Sequence, residues 1–203
     1  MILLILLTHS QAVALPNPFL FISKGFTCSG FFSKIERAKT VAFTEPMFYI
    51  GDSALIKNGD NRFKTLEDFN KKDIKIAVIQ GETGHLFAQK NLQSAELAIL
   101  PGADISLALA QVSSEQVDAA ITDAWTIKSY SKQHPDTQDI AEINSKINFK
   151  MNPVTWAVRY DDLDLLSFLN TSIKILKINK KFQEWEKKYD VHWLREDLKL
   201  KIE

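Results

Sequence analysis

Two short stretches of this sequence combine residue types that can hold a small charged molecule. The first is Gln80-Gly81-Glu82-Thr83, between the β-rich apolar run Ile74 to Ile79 and a helical pattern from about Thr83 to Asn91. Gly81 permits close backbone approach, and Thr83 can offer a hydroxyl and an N–H to an anion at a helix N-terminus. Thr83 could equally be no more than the cap of its own helix. The stretch is not a phosphate loop, because a Gly-rich run followed by Lys-Ser/Thr is absent. The second is Thr122-Asp123-Ala124, which closes the apolar run Val117 to Ile121 and opens a helix from about Ala124 to Tyr130. Asp123 can pair with an ammonium group there, or can cap the helix. A Thr suited to an anion and an Asp suited to a cation, at neighbouring strand ends, would together suit a zwitterion.

Other chemistries find less support. His9, His85, His134 and His192 are scattered, with no metal-ligand pair and no Gly-x-Ser-x-Gly context, so neither a metal nor a catalytic residue is assigned. His85 either lines the crevice beside Thr83 or lies on the surface; with Glu82 it is the nearest candidate for acid–base work if the chain were an enzyme. The single cysteine, Cys28, excludes an intramolecular disulfide framework and a Cys-rich zinc site. No cofactor is implied. The 203 residues carry 25 Lys+Arg against 25 Asp+Glu, so the basic excess of a nonspecific nucleic-acid binder is missing. Trp125, Trp156, Trp185 and Trp193 are read as core residues.

The elements that must position these groups alternate. Val41 to Phe43 reads as a short strand and residues 49–57 as an extended segment. Thr65 to Asn70 reads as a short helix with a Thr65/Asp68 capping box. Then follow the strand Ile74 to Ile79, the helix from Thr83, the strand Leu97 to Leu100, and a helix capped by Asp104 with Ile105, Leu107, Leu109 and Val112 on its packed face. The strand Val117 to Ile121 and the helix from Ala124 complete the series. Short apolar strands alternating with helices predict βαβ units and a parallel sheet covered on both faces. Beyond Pro135 come a strand at Asp139 to Ile143, Pro153 as punctuation, and a strand Val154 to Val158. A helix Asp161 to Leu176 follows, with Leu166, Leu169, Ile173 and Leu176 at three- and four-residue steps. Asn179 is the expected left-handed stop before a helix Lys181 to Lys188. Residues 1–34 show no sustained period. Met1 to Leu7 is too short to span a membrane, although Ala12-Val13-Ala14 has the small-x-small form of a signal cleavage site, without a basic n-region.

Five segments in this order resemble the bacterial family-three extracellular solute-binding proteins, the polar amino-acid receptors of ABC importers. They are ERAKTVAFTEPMF (36–48), TLEDFNKKDIKIAVIQGET (65–83), EQVDAAITDAW (115–125), VTWAVRYDDLDLLSFLNTSIKIL (154–176) and KKFQEWEKKY (180–189). The resemblance implies an α/β, type II periplasmic-binding-protein fold with the ligand held between two lobes. It implies that Arg37 clamps the ligand α-carboxylate, that Thr83 after the Gly81 turn donates to the same carboxylate, and that Asp123 receives the α-ammonium. The implied ligand is a polar amino acid or similar small zwitterion. The implied partners are the membrane subunits of the importer, and the implied setting is the periplasm or cell envelope, with the protein a monomer.

Two departures shape the expectations. Met47 stands before Phe48, where the family motif has an aromatic directly after the proline. In the family a strand, a glycine-aspartate helix and a second strand precede the arginine motif, and residues 1–34 are too short and irregular to supply them. The expectation is therefore a truncated or frame-disrupted member: residues 1–34 an irregular leader, 35–58 with 154–203 the remainder of lobe one, and 59–153 a lobe two that folds. Lobe one would be incomplete, and ligand binding by this chain weak or absent. The alternatives are a dehydratase-like enzyme of the same fold and a sensor input domain. The sensor reading predicts a downstream transmembrane segment, and none follows within the 203 residues.

Overall fold

The computed structural model describes residues 26–102, 104–140, 147, 149 and 151–189. Two compact units divide the chain. Among the described residues, one holds those up to Ile50 and from Asn152 onward, and the other holds those within Gly51–Met151. The chain passes between them inside two strands, β3 (Phe48–Lys57) and β8 (Met151–Arg159).

The unit built on Gly51–Met151 contains the alternation read from the sequence. Its strands are β3, β4 (Lys75–Ile79), β5 (Glu96–Leu100), β6 (Ala119–Asp123) and β7 (Thr137–Asp139). β4 runs parallel to both β5 and β6, while β3 is antiparallel to β6 and β7. The crossovers are the helices α2 (Thr83–Asn91) and α3 (Ile105–Ser113), and α4 (Ala124–Gln133) follows β6. Alternation along the strands loads both faces of the sheet. Ile56, Ile76, Val78 and Ile121 share one core with Phe87 and Leu92, whereas Leu55, Ala77, Ile79 and Ala120 share another with Leu109, Val112 and Ile127. Such burial on both faces is why these strands read as continuous apolar runs.

Ahead of β4, the expected short helix is a 3₁₀ turn at Leu66–Phe69, with the Thr65/Asp68 capping box in place. The Lys71 ammonium and the N–H groups of Lys64 and Thr65 hold the Asp68 carboxyl well below the usual range. The turn delivers Phe69 into the first core, stacked on Phe63 at 4.3 Å and edge-on to Phe149 at 5.9 Å.

In the other unit, β8 is flanked antiparallel by β1 (Phe26–Phe32) and β2 (Val41–Phe43), with the four-residue helix α1 (Ile35–Ala38) between those two in sequence. Helices α5 (Leu163–Ile178) and α6 (Lys181–Tyr189) supply Leu169, Ile173 and Phe182 to a core with Met47, Phe48, Val154, Trp156 and Val158.

Several expectations shift. The stretch 1–34 is not irregular throughout, since β1 occupies Phe26–Phe32; a register shift between Thr27 and Phe31 breaks the period that would have revealed it. β6 lies two residues later than expected, because the Val117 N–H turns to the Gln111 carbonyl instead of joining the ladder. Pro153 lies inside β8, near its start, where the missing N–H costs one donor and its carbonyl still accepts from Ser33. Leu107 is 60% exposed, leaving Ala108, Leu109 and Val112 as the buried face of α3. α5 runs to Ile178, so the left-handed residue is Lys180 (φ 54°) and not Asn179. β7 ends at Asp139, and residues 141–143 of the strand expected from Asp139 to Ile143 lie outside the described set. So do His9, His192 and Trp193.

Candidate ligand-binding site

β4 and β6 are parallel neighbours, and each runs into a helix: β4 into α2 through the turn Gln80-Gly81-Glu82, β6 directly into α4. Both helix N-termini therefore open at the carboxyl ends of adjacent strands, the place where open α/β sheets hold ligands. Each helix leaves its first N–H groups without intrahelical acceptors, and its dipole favours negative charge.

Gly81 makes the first turn. Its φ of +79° lies in the left-handed region, where a side chain costs about 1–2 kcal/mol. Its N–H donates to His85 Nδ1 at 3.0 Å, so the half-buried His85 closes the turn. Glu82 occupies the cap position of α2 without a side-chain capping bond. Thr83 is thus the first helical residue and not its cap. Its hydroxyl points inward and donates to Asp52 Oδ1 at 2.8 Å, with both residues buried.

Asp52 lies in β3, directly opposite Asp123 of β6 in the antiparallel register. Through this pairing Thr83, Asp52 and Asp123 are joined at one edge of the unit. Asp123 does cap α4. Its Oδ1 accepts from the Thr126 N–H at 2.9 Å, and its Oδ2 from the Thr126 hydroxyl at 2.7 Å. Burial pushes the Asp123 carboxyl above the ordinary range near 4, and the Glu82 charge adds to the shift.

A raised acid contributes stability that is complete below its unfolded value and lost as pH rises through its folded value. Asn caps helices as well as Asp. Asp123→Asn should therefore keep α4 while removing the destabilisation that builds above about pH 4. Thermal melts from pH 4 to 7 should show the variant gaining on the parent chain as pH rises; a constant difference would contradict this.

A close approach fixes where α2 begins. A Cβ placed on Gly84 would lie 2.1 Å from the Ile121 carbonyl oxygen and 2.7 Å from its carbon. Only glycine lets the first turn of α2 seat this tightly on β6.

Arg37 belongs to the other unit, in α1, where its Nη1 donates to the Phe32 carbonyl at 3.3 Å. Gly81, Thr83 and Asp123 are thus brought to one edge of the Gly51–Met151 unit, and Arg37 is part of the unit beside it in sequence. Trp156 is buried, as expected, and its Nε1 has no hydrogen-bond partner among the described residues. Sequence reasoning missed Asp52. The available signal was a carboxylate within a largely apolar extended run, YIGDSALIK. Among the described residues no group of three His, Cys, Asp or Glu is arranged to hold a metal ion, and no helix is long and apolar enough to cross a membrane.

Comparison with known proteins agrees with this architecture. The chain is 27% identical over 164 residues to the ABC transporter glutamine-binding protein GlnH of Bacillus subtilis (strain 168), covering 80% of this chain and 55% of that protein. It spans about half the length of the curated relatives it matches. Among solved structures, a mutant of ArgBP from T. maritima superposes with a TM-score of 0.67 at 27% identity, covering 84% of this chain and 71% of that one. The ancestral amino acid-binding protein AncCDT-1, a precursor of cyclohexadienyl dehydratase, gives 0.67 at 26% identity, covering 84% and 69%. The fold is that of type II periplasmic amino-acid-binding proteins. The family model for bacterial extracellular solute-binding proteins, family 3, matches residues 24–192, from within the segment before β1 to just past α6. With strand order, helix placement and matched span in agreement, this chain belongs to the bacterial extracellular solute-binding proteins, family 3.

Proposed function

We propose that this chain binds a polar amino acid as the substrate-binding component of an ABC importer, outside the cytoplasmic membrane. The observation that carries the reading is the joining of Thr83 and Asp123, through Asp52, at the carboxyl ends of neighbouring strands. In this reading the ligand α-carboxylate meets the free N–H groups that begin α2, and the α-ammonium meets Asp123, whose oxygens have lone pairs beyond those engaged by Thr126. The family resemblance assigns Arg37 to the same carboxylate, and a guanidinium fork suits bidentate binding of that group. Named relatives bind glutamine or arginine, which supports an amino acid as the guest and leaves its side chain open.

Calorimetric titration of the full chain with L-arginine, L-lysine and L-glutamine, each up to about 10 mM, tests this. One of them should saturate. Asp123→Asn, which keeps the cap, and Arg37→Ala should each weaken that binding at least about tenfold, as expected for a lost charge-assisted hydrogen bond. Affinity should also fall as pH drops toward the raised Asp123 titration, because the protonated acid no longer attracts an ammonium. No saturation with any of the three, or affinities unchanged in both variants, would overturn the assignment.

A further inference from the structure

We propose that Asp52 is a positioning residue for the ligand carboxylate, acting through Thr83; this rests on the amino-acid-binding reading above. A hydroxyl carries one proton. The Thr83 proton is directed into the Asp52 carboxylate at 2.8 Å, between two buried side chains 31 positions apart in sequence. The group that Thr83 presents to a ligand anion is then its main-chain N–H, one of the donors at the start of α2 that lack an intrahelical acceptor.

What Asp52 supplies is orientation. Threonine is β-branched and stiff about χ1, so fixing the hydroxyl fixes the whole side chain against the helix. β3 is held in register by β6 through Asp52 to Ile56. It therefore holds the first turn of α2 through Thr83, while Gly84 seats the same turn closely against Ile121 of β6. The carboxylate thus works on a residue that would touch the ligand, without touching the ligand itself.

A purely structural bond would weaken binding of all ligands alike, whereas a positioning bond matters for the carboxylate. L-arginine, L-lysine and L-glutamine are each compared with their α-carboxamides by calorimetry on the full chain. In the parent chain the acid should bind more tightly than its amide. Asp52→Ala should reduce that preference about tenfold, the order expected when a donor to a charged group loses its alignment. Asp52→Asn retains an acceptor for the Thr83 hydroxyl and should keep the preference within about threefold of the parent.

Thr83→Val, which removes the hydroxyl and keeps the N–H and the side-chain shape, should match Asp52→Ala. The double variant should be no worse than either, because the two residues act as one unit. Circular dichroism at the assay temperature establishes that each variant is folded, and Thr83→Val carries the test if Asp52→Ala is not. Binding in the parent chain with an unchanged acid-to-amide preference in Asp52→Ala or Thr83→Val overturns the role of Asp52 alone. Absence of binding in the parent chain overturns the functional reading, and this inference with it.

Discussion

Replacing Phe69 with alanine should destabilise the chain by about 4 kcal/mol, within the range for removing a buried phenylalanine ring. Phe69 is fully buried, stacked on Phe63 at 4.3 Å and set edge-on to Phe149 at 5.9 Å, and Phe149 packs in turn against Phe87 of α2. Phe63, Phe149 and Phe87 come from a loop, from the segment before β8 and from a helix. They cannot collapse together without disturbing one another, so most of the cavity should persist. Domains of this kind are stable by only about 5–15 kcal/mol. A large fraction of that margin should disappear, and urea unfolding of parent and variant measures it. A loss below about 1 kcal/mol would mean that the ring cluster closes over the gap.

Gly84→Ala should act by the opposite route, through crowding. The added methyl would meet backbone atoms of Ile121, not the tip of a flexible side chain, so strand and helix must separate. We expect a loss of about 3 kcal/mol, the upper part of the usual range for overpacking. The same movement would carry Thr83 away from Asp52 and weaken the amino-acid binding proposed above. Gly81→Ala separates crowding from backbone strain. At Gly81 nothing lies within 4 Å of the place an added methyl would take, and only its positive φ opposes substitution. It should cost about 1 kcal/mol. Equal losses at Gly81 and Gly84 would contradict the close approach of α2 to β6.

Legibility in the sequence followed the physical origin of each element. β4, β5 and the three helices α2, α3 and α4 were readable because each strand is a short apolar run and each helix begins at a recognisable turn or cap. The Asp104 and Asp123 caps follow directly from their side chains accepting backbone N–H groups. β1 was not readable. FTCSGFF contains a glycine, and its ladder slips between Thr27 and Phe31, so neither alternation nor a continuous apolar run survives. Pro153 misled for a related reason: a proline argues against a strand interior, yet near the start of β8 its missing donor is tolerable.

At the site, Thr83 and Asp123 could be singled out because strand-to-helix junctions are visible in one dimension. The inward turn of the Thr83 hydroxyl could not, since its acceptor lies 31 residues earlier in a different strand. Partners set by sheet register are tertiary information, and a pattern of residue types carries little of it.

The Gly51–Met151 unit enters and leaves at almost the same point. A Cβ on Gly51 would stand 3.1 Å from the sulfur of Met151. A segment whose two ends meet behaves as a cassette: it can be excised, rejoined through a short bridge, or spliced into a loop of an unrelated host without stretching its own backbone. The part of the molecule bearing Gly81, Thr83 and Asp123 thus meets the geometric condition for insertion into, or removal from, a host chain.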